Sequence, residues 1–155
     1  MKSLAEIFYD AIQADETLMQ AIGGRVKATC FEIPPDELDN TPVPNIIITS
    51  DGFVNQATTK DCLWEAGEDN QQASLDIAAA SHADVEQLVK DVRRAIEQYI
   101  ATMYNQGEQI PELVPGYPSS DGIAWDWMKP CYYTVIKYQC TMPTDLYSDN
   151  EQESN

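Results

Sequence analysis

The stretch Gln72–Ile100, "QASLDIAAASHADVEQLVKDVRRAIEQYI", decides the fold. Its first eight residues alternate: Ala73, Leu75, Ile77 and Ala79 fall on one side of an extended chain, and Gln72, Ser74 and Asp76 on the other. That period of two describes a strand with one buried face. The period then changes. Val85, Leu88, Val89, Val92, Ile96, Tyr99, Ile100 and Met103 recur at helical spacing and make a single apolar stripe. Ser81 stands where an N-cap belongs, with Asp84 three residues on. Glu86 and Lys90 are spaced i,i+4 in the favourable order, and Gly107 ends the helix. A strand with one apolar face, followed at once by a helix with one apolar stripe, describes a sheet and the helix that covers it. The turn between them, Ala78-Ala79-Ala80-Ser81-His82, contains no glycine and so carries no phosphate loop.

Outward from this unit, the N-terminal segment Ser3–Ile22 reads as helix through Leu4, Ile7, Phe8, Ala11 and Ile12. Asp15 caps a short second helix, and Gly23-Gly24 stops it. "RVKATCF" (Arg25–Phe31) reads as a strand, and "EIPPDELDNTPVP" as an irregular connection. "NIIITS" (Asn45–Ser50) is a β-branched strand. From Phe53 to Asn70 the pattern is polar, broken by Phe53, Val54, Leu63 and Trp64, and reads as a long, partly flexible hairpin. "PELVPGYPSSDG" is a second irregular connection. "IAWDW" (Ile123–Trp127) alternates and sets Trp125 and Trp127 on one strand face; Met128-Lys129-Pro130 turns the chain. "CYYTVIKYQCTM" (Cys131–Met142) closes the pattern as the last strand, with Tyr132, Ile136, Tyr138, Cys140 and Met142 on one face. The order is α-β-β-(hairpin)-β-α-β-β. The expected class is α+β: a single mostly antiparallel sheet with two main helices packed on it. Residues 1–143 make one domain, and the acidic residues 144–155 a disordered tail.

Composition excludes several functions. The 155 residues hold 26 Asp and Glu against 9 Lys and Arg, a net charge of −17. Proteins that hold nucleic-acid backbone or an anionic membrane need clustered cations, and these are lacking. Solubility alone is a sufficient use for such a charge. No apolar run approaches the ~20 residues of a membrane span. The N-terminal "MKSLAEIFYDAIQ" lacks the apolar core and cleavage site of a secretory signal. Cys30, Cys62, Cys131 and Cys140 form no C-x-x-C pair, and His82 is the lone histidine. A zinc site is therefore not expected, Cys30 and Cys140 read as buried free thiols, and the cysteines suit a reducing cytoplasm.

Catalytic equipment is equally thin. Phosphate-loop, dinucleotide, nucleophile-elbow and zincin motifs do not occur. His82 sits in an exposed first helical turn and reads as a surface residue, not a general base. Asp61, Glu65, Glu68 and Asp69 lack the spacing and central glycine of a calcium loop and read as a solvated hairpin tip. No catalytic, cofactor or metal residue is expected, and no enzyme activity. The large apolar groups set among polar sequence, namely Phe53, Leu63, Trp64, Trp125 and Trp127, are the candidates for a subunit or partner interface.

One resemblance is carried by the order of these pieces. An N-terminal helix ends in "AIGGRV" (Ala21–Val26). A proline-rich connection enters the strand "TPVPNIIIT" (Thr41–Thr49). Then follow "QASLDIAAAS" and the helix "ADVEQLVKDVRRAIEQYI". From Leu4 to Met142 this resembles the tail-completion, or tail terminator, proteins of long-tailed phages and prophages. The chain departs from that pattern in the connection Glu108–Gly122, the Trp-containing hairpin and the acidic tail. The resemblance implies a structural virion protein forming a ring, commonly a hexamer. Such a ring caps the tail tube, stops its polymerisation and joins tail to head. Its partners would be further copies of itself, the tail tube protein and the head–tail connector. DNA would pass through without specific binding. The implied location is the virion tail, assembled in the bacterial cytoplasm. A head–tail connector subunit and a small acidic module that binds a basic protein are the alternatives.

Overall fold

The computed structural model describes residues 3–31, 33–56, 68–108, 112–113 and 118–143. In chain order its elements are α1 (Leu4–Ala14), α2 (Glu16–Ala21), β1 (Val26–Ala28), α3 (Pro35–Asp39), β2 (Asn45–Gln56) and β3 (Glu68–Ala79). They continue with α4 (His82–Asn105), β4 (Glu112–Leu113), β5 (Ser119–Ser120), β6 (Ala124–Asp126) and β7 (Cys131–Pro143).

The alternation around Leu75 places β3 at the centre of a sheet that has seven strands among the described residues. β2 and β7 flank it, both antiparallel. β1 pairs with β2 in parallel, Val26 opposite Ile46. Parallel neighbours need a long crossover, and residues 29–44, which contain α3, supply it. The short strands β4, β5 and β6 each pair with the outer edge of β7. The class is α+β, with a mostly antiparallel sheet, as the patterning implies.

Register explains the core. Ile46, Ile77 and Thr134 form one cross-strand row, and Ile48, Leu75 and Ile136 the next. All six are buried. α1 lays Leu4, Ile7, Phe8, Ala11 and Ile12 on this face, and α4 lays Val85, Leu88, Val92, Ala95 and Ile96. Phe8 meets Tyr138 with ring centroids 4.8 Å apart. Each fully buried side chain of Leu, Ile or Phe size contributes about 1.5–3 kcal/mol relative to exposure. The helix punctuation follows the sequence closely. Ser3 and Glu6 form a reciprocal capping box on α1. Asp15 accepts the Leu18 N–H at 3.0 Å on α2. Ser81 accepts the Asp84 N–H at 3.1 Å on α4.

Two soft motifs prove to be in contact. The Arg25 side chain donates from Nε to the Pro44 carbonyl (2.9 Å) and from Nη2 to the Val43 carbonyl (3.4 Å), tying the glycine turn to the entry of β2. A glycine suits that turn best. The φ of Gly23 is +59°, and an added Cβ would lie 2.8 Å from Arg25 Nη1.

The structure corrects several expectations. "RVKATCF" is a strand only to Ala28; Thr29–Phe31 is a 3₁₀ turn that leaves Cys30 exposed, not buried. Pairing with β2 ends at Ala28–Ile48, and the chain must leave the sheet to cross over. The connection after it contains α3, with a proline in the first turn and Asp36 and Glu37 at its positive end. The hairpin expected over Phe53–Asn70 is present in its described part, where β2 and β3 stay paired to Gln56 and from Glu68. Residues 57–67 and the tail 144–155 lie outside the described residues.

Candidate interaction surface

His82 belongs to the surface. Its Nδ1 lies 3.2 Å from Glu86 Oε1, with both side chains more than half exposed, and its ring stands edge-on to Tyr132 at 5.9 Å. Glu86 thus faces His82. Among the described residues no group of three or more His, Cys, Asp or Glu is arranged to hold a metal ion. No described helix is long and apolar enough to cross a membrane.

The structure divides the interface candidates. Leu63 and Trp64 lie outside the described residues. Phe53 is 66% exposed on β2, in register with Gln71, whose Oε1 accepts the Leu4 N–H. It therefore sits at the end of the sheet where α1 begins. Trp125 lies opposite Tyr132, itself opposite Ala79, so it sits at the other end of β3. Eight residues of strand separate the two positions, about 27 Å at ~3.4 Å per residue. Phe53 and the tryptophans do not form one patch.

The tryptophans also differ from each other. Trp125 is 36% exposed and packs edge-on against Tyr132, ring centroids 4.8 Å apart. Trp127 is past the end of β6, in the turn, and is 90% exposed beside Met128 at 92%. They do not share a strand face. Asp126 causes this: its Oδ1 accepts the Met128 N–H (2.9 Å) and the Lys129 N–H (3.4 Å). A side chain that satisfies the next backbone donors replaces the strand with a turn. The Cys131 N–H then donates to the Lys129 carbonyl at 2.7 Å, closing the tip. The result is a well-held turn presenting two large apolar side chains to water.

The sheet face away from α1 and α4 is only partly covered. Its rows are Asn45–Ala78–Tyr133, Ile47–Asp76–Val135 and Thr49–Ser74–Lys137. At one end the 40–44 segment covers it, where Asn45 Nδ2 donates to the Thr41 and Pro42 carbonyls. Between Leu38, Val43 and the hairpin tip lies a cleft of about 210 Å³, with Asp76, Asp126, Lys129 and Tyr133 around it. Burial pushes the Asp76 carboxyl above its ordinary range; Asp126 adds to this and Lys129 opposes it. Cys140, on the covered face, is pushed up to about 12 by burial.

A second concavity was not legible in sequence, because distant segments build it. Ala21 at the end of α2, Pro44 before β2, Ala79 and Ala80 after β3, and Leu88 on α4 line a groove of about 250 Å³. Asp84, Gln87 and Asp91 complete its lining. The alanine turn of the deciding stretch serves here as an apolar wall, where larger side chains would fill the space.

No family model matches the sequence, and no curated protein matches it. Among solved structures the chain is similar to one described as "Virion of native gene transfer agent (GTA) particle". The TM-score is 0.50 at 9% identity, covering 90% of this chain and 94% of that one. At such identity the likeness is one of fold, and it extends over nearly the whole length of both chains.

Proposed function

We propose that this protein is a structural component of a phage-like virion, forming a ring that caps the tail tube, stops its polymerisation and joins tail to head. The observation that supports it most is the near full-length fold likeness to a chain of a virion particle. The order of sequence elements, which resembles tail terminators, agrees with it. The protein is read as non-enzymatic, working by contact with further copies of itself, the tube protein and the connector. Phe53, Leu63, Trp64, Trp125 and Trp127 are the proposed contact residues. The charge of −17 has a use in this role: an acidic ring does not hold the phosphates of DNA sliding through it. A head–tail connector ring is the second reading, supported by the same fold likeness. The acidic binding module rests on charge alone.

Light scattering over a salt series, with and without the tail tube subunit of the same particle, separates these readings. A terminator gains mass toward a ring with rising salt, and more so with tube subunit. A connector forms rings indifferent to the tube subunit. A protein that stays monomeric throughout, and takes up a basic protein instead, is the binding module.

A further inference from the structure

We infer that the Trp127–Met128 tip of one copy docks into the groove of Ala21, Pro44, Ala79, Ala80 and Leu88 on a second copy, making a head-to-tail contact. The inference deepens the ring reading, but the contact itself is testable without any tube protein.

The two surfaces are complementary in chemistry. The tip offers an indole and a thioether, both at least 90% exposed in their own chain, so the tip does not occupy its own groove. The groove offers an apolar wall with carboxylates at hand. Its 250 Å³ is below the ~300–1,000 Å³ of small-molecule sites, a size that suits a side chain. A buried indole N–H needs an acceptor, and Asp84 and Asp91 can supply one. Asp91 is held in place by Gln87 Nε2 (3.1 Å) and Arg94 Nη1 (3.2 Å). The methionine adapts to what space remains.

They are also complementary in position. Trp125 lies opposite Tyr132, and Tyr132 opposite Ala79, so tip and groove lie at the same end of the strands. The tip joins β6 to β7, with its Asp126 and Lys129 bordering the open-face cleft, whereas Ala21 and Pro44 belong to the β1–β2 side and the groove faces α4. A head-to-tail contact about an axis along the strands would join them at this shared height. A closed ring requires two different surfaces related in this way.

The test is sedimentation velocity on the intact chain at about 1 M salt, where the Debye length of about 3 Å leaves little repulsion between acidic copies. The wild type associates beyond a dimer as concentration rises. Trp127→Ala removes the tip, and Ala80→Glu blocks the groove. Each weakens association by roughly 30-fold or more, the loss typical of an interface anchor, with the circular dichroism spectrum and Tm retained. Mixed, they form a 1:1 dimer and nothing larger, because one intact tip and one intact groove remain between them. Ala21→Glu, on an exposed helix end, takes the place of Ala80→Glu if that variant does not fold. Wild-type association by Trp127→Ala, no dimer from the mixture, or a wild type monomeric at every concentration would each overturn the contact. Failure to cap tubes by a protein that passes this test would count against the terminator reading and leave the contact standing.

Discussion

At the scale of single residues, Asp76 is the clearest point of tension. It stands on the middle strand, between Ile47 and Val135, and burial raises its pKa from the usual 3.8. Between that value and the raised one, the folded state holds a proton that the unfolded state has released. Stability therefore falls as pH rises through this window and stays lower above it. Asp76→Asn is expected to raise Tm at neutral pH, with the gain shrinking as pH approaches 3.8; thermal melts of both proteins across pH check it. The cysteines give a second test. Cys140 is buried with its thiol pushed up to about 12, and Cys131 is buried and pushed up too. The Cys30 thiol is pushed up as well, by desolvation and by Glu6, but it is exposed, so among the described cysteines an alkylating reagent should modify Cys30 first. Peptide mass mapping should find Cys140 labelled only in denaturant; labelling of Cys140 in the native protein at the rate of Cys30 would contradict its burial.

At the scale of elements, β3 and α4 carry the fold. Leu75→Asp puts an unpaired charge between Ile48 and Ile136 and should unfold the protein; a folded, cooperatively melting variant would contradict the register. Ser81→Ala removes the α4 cap and should cost about 1 kcal/mol, or roughly 2–4 °C in Tm. These elements were legible because their periods are uninterrupted from Ala73 to Met103 and their caps are local. What was not legible has local causes of another kind. The hairpin over Phe53–Asn70 was read, but the continuity of its strands with Asn45–Ser50 and Gln72–Ala79 is hidden by a register shift at Gly52, where φ is +99° and the alternation slips. "IAWDW" alternates like a strand through Trp127, but Asp126 spends its carboxylate on the next backbone donors and ends it. Cys30 reads as core because its neighbours alternate, yet the parallel pairing that would bury it stops at Ala28. The groove escaped altogether, since Ala21, Pro44, Ala79 and Leu88 meet only after folding.

At the scale of the whole molecule, repulsion between acidic copies opposes the apolar contacts that would join them. A net charge of −17 is largely screened beyond about 8 Å at physiological salt. Association should thus strengthen as salt rises, the reverse of an assembly held by ion pairs. In the proposed role on a tube end, neighbouring sites would also raise the effective concentration of each subunit for the next. The central claim concerns that tube end, and electron microscopy of tube lengths tests it most directly. Purified tail tube subunit is allowed to polymerise with increasing amounts of this protein. The account predicts shorter tubes with added density at one end, and no lengthening once the ends are occupied. Tubes of unchanged length with bare ends, at concentrations where the protein is folded and in excess, would contradict it.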